Sequence, residues 1–248
     1  MSKWIAFLLA SCALGQDPRQ IVEEVQRRNR STSQRYEGTL TVTSAKSRVT
    51  QKRWRYERMG SFGDSKAALR FLEPPEVKGV ALLVHNHRDR SSDQWMWTPE
   101  LQRDRRIALQ DRSTRFFGTD FSFEDLEERD AGQFDYKLLG EEKLDGQMCW
   151  KLESRPRQTK RSQYTHSYLW VRQDLYVYVM VEGYKDQELL RRIAYRDYEN
   201  VKGLWTARLL EVLDTKRRSR TTMKLEKLEY GVPMKDEDFT LQALRRPL

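Results

Sequence analysis

Hydrophobic and polar positions alternate along most of this 248-residue chain. From Tyr36 the period is two. Tyr36, Gly38, Leu40 and Val42 alternate with Glu37, Thr39, Thr41 and Thr43, the pattern of a half-buried strand. Trp54 and Tyr56 set against Arg53, Arg55 and Glu57 repeat it. Similar runs continue to Tyr230, broken by Pro74-Pro75, by Asp145-Gly146 and by the turn from Asn200 to Gly203. These separations are of hairpin length, so the pattern predicts about ten short strands in one antiparallel sheet. A sheet of that size must curl or close. Two stretches depart from the period. Asp17-Pro18 opens a helix with the stripe Ile21, Val22 and Val25, Asp serving as N-cap and Pro fitting the first turn. In the middle, RRIALQDRSTRFFGTDFSFEDLEE (105–128) starts as a strand, breaks at Gly118 and restarts as a short amphipathic helix, Phe121 to Glu127. There Asp120 would be the N-cap, with Glu124 and Asp125 in the first turn. The fold class is α+β: a curled antiparallel sheet covered by an N-terminal helix and a short central helix.

Composition narrows the function. Aromatics make up 11% of the chain, too many for a disordered one. The net charge is +9, yet acids and bases interleave, which describes a solvated surface. Arg53-Trp54-Arg55-Tyr56 mixes cations with aromatics, but alternation sends the two kinds to opposite faces, so no nucleic-acid partner is expected. Residues 1–15 read as an export signal: Lys3, a short apolar run, then Ala13-Leu14-Gly15 as a cleavage site. Leu9-Ala10-Ser11-Cys12 also matches a lipobox, whose cysteine would be lipidated. The short apolar run before Cys12 favours soluble release into the periplasm; lipid anchoring through Cys12 is the alternative. Cleavage after Gly15 leaves Cys149 alone, so the fold must hold by core burial. His85 and His87 lack a clear third ligand, so no metal is expected, and no cofactor motif stands out. The carboxylates Glu124, Asp125, Glu127 and Glu128 read as helix-terminus acids rather than a catalytic pair.

Several segments, in order, resemble the outer-membrane lipoprotein-sorting proteins, the LolA-like periplasmic carriers, and within them the branch with a treponemal prototype. These are Pro75-Glu-Val-Lys-Gly79 entering Val80–Val84, then Trp97-Thr-Pro99, Leu101 and Arg105-Arg106-Ile107. The resemblance peaks at Phe117-Gly-Thr-Asp-Phe-Ser-Phe-Glu-Asp-Leu126. It continues through Leu169-Trp-Val171, Lys202-Gly-Leu-Trp205 and Thr221-Thr222. The resemblance implies a single half-barrel domain over 16–248: an incomplete β-barrel whose open side is covered by helices and which encloses an apolar cavity. It implies an acylated lipoprotein or a lipid as partner, with no catalysis. An envelope interaction or sensor module of the same fold, and an anchored acceptor lipoprotein, are the alternatives. No cavity residue of the well-studied carriers maps onto a motif here.

Site candidates therefore come from the residues themselves. Trp95 and Trp97 share a strand face, and Phe116, Phe117, Phe121 and Phe123 fall where the sheet gives way to the covering helix. These six are the cavity and lid candidates. Arg103, Arg105 and Arg106 are candidates for a basic rim that attracts lipid headgroups or a membrane surface. Gly79, Gly118, Asp120 and Asp125 are the structural positions of the motif: a strand entry, a strand break and a helix start.

Overall fold

The structure is a computed structural model that describes residues 16–246. The export signal and Cys12 lie outside the described residues. Helix α1 (Pro18–Arg28) forms as its sequence directs. Asp17 caps it by accepting from the Arg19 N–H at 2.9 Å, and Ile21, Val22 and Val25 are buried. Six strands follow: β1 (Ser33–Thr43), β2 (Val49–Met59), β3 (Lys66–Glu73), β4 (Ala81–His85), β5 (Asp93–Thr98) and β6 (Arg103–Arg106). A crossing segment, residues 107–133, leads to seven more. These are β7 (Phe134–Leu144), β8 (Gln147–Pro156), β9 (His166–Arg172), β10 (Val177–Lys185), β11 (Glu188–Val201), β12 (Leu204–Asp214) and β13 (Ser219–Tyr230). The short helix α2 (Leu241–Leu244) ends the described chain.

All thirteen strands form one antiparallel sheet in the order β6-β5-β4-β3-β2-β1-β13-β12-β11-β10-β9-β8-β7. Every neighbour is a hairpin partner except at the centre, where β1 pairs with β13. The sheet curls but does not close, so β6 and β7 are its two edges. The chain must therefore travel from one edge to the other, and residues 107–133 do so over the concave face.

Packing separates the two faces. On the concave side, Leu40, Trp54, Leu69, Phe71, Leu82 and Val84 form a core with Ile107, Phe116, Phe121 and Phe123 of the crossing segment. Nearer the β7 edge, the apolar stripe of α1 packs on Trp150, Leu152, Leu169 and Val171. On the convex side, Ala81 and Leu83 pack against Phe239 and Leu244 of the C-terminal segment. Strand β4 is thus buried on both faces, which explains its unbroken apolar run. Gly38 is set by one close approach: a Cβ there would lie 2.4 Å from Trp54 Nε1.

The central helix expected over Phe121–Glu127 is not formed; only a single 3-10 turn, Glu124–Leu126, is present. Residues 115–122 make a tight hairpin instead, with an Arg115–Ser122 bridge and the Phe116 N–H donating to the Phe121 carbonyl at 2.9 Å. Phe117 (φ 43°) and Gly118 (φ 73°) sit at its tip, and the Thr119 N–H returns to the Phe116 carbonyl at 3.0 Å. Two consecutive positive φ values define a type I′ turn, which favours glycine. The physical reason for the difference is spacing. Phe121 and Phe123, two apart, would diverge on a helix but share one face when extended, and both are buried in the same core.

Asp120 accordingly caps no helix. It is fully buried, pairs with Arg115 at 2.6 Å, and accepts from the hydroxyls of Ser219 and, at 2.8 Å, Thr221. The acidic run beyond it is also not a solvated helix face. Glu127 accepts from Arg112 at 2.5 Å and from Lys160, all three side chains being nearly inaccessible. Glu128 accepts from the Phe62 N–H at 2.8 Å and pairs with Arg58 at 3.0 Å. Asp125 accepts from the Tyr164 hydroxyl at 2.6 Å. These carboxylates fasten the crossing segment to the sheet.

Removing a buried acid strands its cations, at a cost of about 3–5 kcal/mol. Glu127→Ala should therefore lower unfolding stability by that amount in a urea titration, because Arg112 and Lys160 both lose their partner. Asp93 supplies a pH test. Burial pushes its carboxyl up, but hydrogen bonds from Arg90, Arg106 and His87 outweigh this and hold it well below the usual range. Its stabilisation is present above the unfolded value of about 3.9 and is lost as pH falls through the lower folded value. Asp93→Asn should melt below the native protein at pH 6, and the gap should begin to close below about pH 4.

Candidate functional site

Between α1 and the crossing segment the concave face stays open. The groove has a volume of about 390 Å³, within the range of small-molecule sites. Its floor comes from the central strands, with Tyr36, Trp54, Tyr56, Leu210, Met223 and Leu225. Val25 of α1 stands at one side and Phe121 with Leu126 at the other. Tyr36 and Tyr56 stack with centroids 4.9 Å apart. Trp54 lies 6.2 Å from Phe121 and 6.2 Å from Phe71, so the wall is anchored in the core.

Much of the groove's polarity is that of phenols. Tyr178, Tyr195, Tyr198 and Tyr230 join Tyr36 and Tyr56 in the lining. Burial pushes the Tyr195 hydroxyl up to about 12 and those of Tyr36, Tyr56, Tyr178 and Tyr198 up as well, as expected where a phenolate would be poorly solvated. These groups stay neutral at physiological pH. Tyr198 donates to the Tyr178 carbonyl, and Tyr230 shares a hydrogen bond with Thr206 at 2.7 Å. The buried Tyr178 hydroxyl has no partner among the described residues. Five charged residues also line the groove: Arg58 pairs with Glu128, Glu127 with Arg112 and Lys160, and Asp125 accepts from Ser122 and Tyr164, while Arg129 donates to the Ser154 hydroxyl at 2.6 Å. Such a site can hold an apolar chain and offer phenol hydroxyls to a polar atom.

The expected site residues divide. Phe121 lines the groove. Phe116 and Phe123 lie beneath it, 5.5 Å apart, with Phe116 stacked on Phe71 at 5.3 Å. Phe117 packs edge-on to Phe71 at 5.8 Å. These three support the wall rather than line the groove. Trp95 and Trp97 face the other way, packing with Phe239 and Leu244 on the convex side. Alternation assigned them a shared face correctly but could not say which. Arg103, Arg105 and Arg106 lie on edge strand β6 and line no part of the groove; Arg106 is paired with Asp93. Gly79 (φ 80°) donates its N–H to the Phe71 carbonyl at 2.9 Å, setting the entry to β4. His85 contacts the Phe239 carbonyl at 2.9 Å and His87 contacts Asp93 at 3.0 Å. No group of three or more His, Cys, Asp or Glu is placed to hold a metal among the described residues.

Most of the tyrosines were missed. Tyr195 and Tyr198, three apart, belong to opposite faces of a regular strand, yet both line the groove. Asp197 between them has φ 54°, which breaks the alternation. The same happens at Lys227 (φ 45°), so that Leu225 and Leu228 are both buried. On β10 the pairing shifts between Tyr178 and Met180, and both Val177 and Tyr178 reach the groove.

Comparison with known proteins fits this geometry. No curated protein sequence matches the chain. The structure is similar to an outer-membrane lipoprotein-sorting domain from Vibrio parahaemolyticus, with TM-score 0.88 and 24% identity over 92% of this chain and 98% of that one. It is similar to a DUF1329 family protein from Desulfovibrio piger, with TM-score 0.87 and 26% identity over 92% and 99%. A LolA superfamily protein from Nitrosomonas europaea follows, with TM-score 0.73 and 19% identity over 92% and 99%. A family model described as uncharacterized protein matches residues 63–246, most of the chain. The chain belongs to that family, and its half-barrel is the fold of the LolA-type outer-membrane lipoprotein-sorting domains.

Proposed function

We propose that this protein is a non-enzymatic carrier in the bacterial envelope that holds a lipid or the acyl chains of a lipoprotein in its concave groove. One observation carries the reading. An open groove lined mainly by aromatic and aliphatic side chains is built into the face of a sheet that covers the rest of that face with α1 and the crossing segment. A protein that only needed a core would have filled it. Burial of an acyl chain contributes about 0.8 kcal/mol per methylene. Ten methylenes would supply about 8 kcal/mol before ordering costs, the scale of a micromolar Kd. The similarity to the lipoprotein-sorting domain from Vibrio parahaemolyticus and to the LolA superfamily protein from Nitrosomonas europaea supports the same reading at the level of fold. Export through residues 1–15 would deliver the chain to the compartment where such cargo is found; the mature N-terminus, Gln16 or a lipidated Cys12, distinguishes a soluble carrier from an anchored acceptor.

Native mass spectrometry of protein exported from bacteria should show bound acylated mass, and the emptied protein should take up a fluorescent fatty acid. Leu210 is a half-buried groove residue, so Leu210→Glu places a charge in the floor without opening the core. It should weaken fatty-acid uptake at least tenfold while leaving the far-ultraviolet dichroism unchanged. Equal uptake by the two proteins would remove the groove as the cargo site.

A further inference from the structure

A second concavity lies outside the groove. Its walls are the start of the crossing segment (109–115), the β8–β9 loop (156–165) and the tips of the β10–β11 and β12–β13 hairpins. Its volume is about 900 Å³, and cations dominate its lining. The deep cations are already matched. Arg112 and Lys160 pair with Glu127, Arg115 with Asp120, and Arg191 with Asp125 at 3.4 Å. The carboxylates facing the cleft are matched too. Glu124 accepts from the Ser162 hydroxyl and from the Gln163 N–H at 2.8 Å. Asp214 lies 3.8 Å from Arg191 and 3.9 Å from Arg217.

The mouth is different. Arg161 and Lys185 are exposed, line the same cleft and have no carboxylate within 4.0 Å among the described residues. Lys216 beside them is held by Glu188 at 2.9 Å, and Arg217 has only its loose approach to Asp214. Other surface cations are paired across strands, as Arg53 and Arg55 are with Glu37. Here a concave surface concentrates unmatched positive charge above a floor whose charges cancel, an arrangement that focuses potential toward an anion.

We propose that this cleft binds a phosphate ester. A phosphate brings up to two negative charges and several acceptor oxygens, enough to engage an arginine fork and an ammonium together. The cleft is far larger than a bare ion, and Leu109, Pro156 and Leu190 add apolar surface beside its cations, so the anion should carry an organic group. Two sources share this chemistry: an anionic phospholipid headgroup and a soluble phosphorylated compound. The assignment stands on the cleft alone and does not depend on what occupies the groove.

The test uses the full chain and an Arg161→Glu/Lys185→Glu variant. Binding of glycerol phosphate is followed by calorimetry, and binding to vesicles of phosphatidylglycerol and phosphatidylcholine, against phosphatidylcholine alone, by sedimentation. Uptake of a neutral apolar dye reports the groove separately. The native protein should bind at least one phosphate ligand, and the variant should bind it at least tenfold more weakly with dye uptake unchanged. Loss of glycerol phosphate binding identifies a soluble source; loss confined to phosphatidylglycerol vesicles identifies a headgroup. Absence of binding to both, or equal affinity of the two proteins, overturns the proposal. Failure of dye uptake in both proteins would count against the groove and leave the cleft standing.

Discussion

The fold depends on how a chain that ends one half of its sheet at β6 reaches the other half at β7. The strand order puts those strands at opposite edges, so residues 107–133 must run over the concave face. Such a segment carries backbone polar groups into a buried place, where each needs a partner. Side chains supply these partners: Thr221 accepts from the Asp120 N–H at 2.8 Å, Asp125 from the Ser122 N–H at 2.7 Å, and Gln94 donates to the Phe123 carbonyl at 3.0 Å. Asp120 ties the segment to β13 through Ser219 and Thr221, and Arg191 of β11 donates to its carbonyl at 2.8 Å. Glu127 and Glu128 tie the segment to Lys160 of the β8–β9 loop and Arg58 of β2, and Glu127 also joins its two ends through Arg112. A buried ion pair is weak evidence for added stability but strong evidence for a fixed geometry when its partners are this numerous. The phenylalanines fill the space below, and the acids set where they sit.

That fixed segment makes a groove possible. A curled sheet left uncovered would expose its apolar concave face, and a sheet fully covered would have no room for cargo. Here α1 covers one part and the crossing segment another. The strip between them retains aromatic walls held from behind, Trp54 by Phe71 and Phe121 by Trp54. Tyrosine suits such a strip. Its ring offers apolar area, and its hydroxyl can either bond locally, as in Tyr198, or wait, as in Tyr178.

How far the sequence disclosed this can be traced to particular residues. Period-two runs from Tyr36 onward, hairpin signals and the Asp17-Pro18 cap were enough for α1, the antiparallel sheet and its curl. The order of β1 and β13, and hence the two edges, was not legible because no local signal records a pairing between strands so far apart. The central helix failed because Glu124–Glu128 has a helix-like composition, whereas the buried cations that claim those acids come from distant positions, Arg58, Arg112, Lys160 and Arg191. Within the groove, Phe121 was legible from its aromatic context, but Tyr195 with Tyr198 was hidden by the left-handed residue Asp197.

The same backbone irregularities that hid the groove are part of how it is shaped. A strict period of two sends every second residue away from the concavity. A positive φ at Asp197 or Lys227, or the register shift after Tyr178, sends an additional large side chain inward. Each such residue costs about 1–2 kcal/mol of backbone strain where no glycine is used. In β11 and β10 the side chain turned inward is a tyrosine on the groove wall; in β13 it is a leucine in the core beside it. Such departures also bend and twist the strands, which helps the sheet curl. On β10 and β11 these departures set tyrosines along the open strip, so the irregular backbone and the phenols shape the same surface.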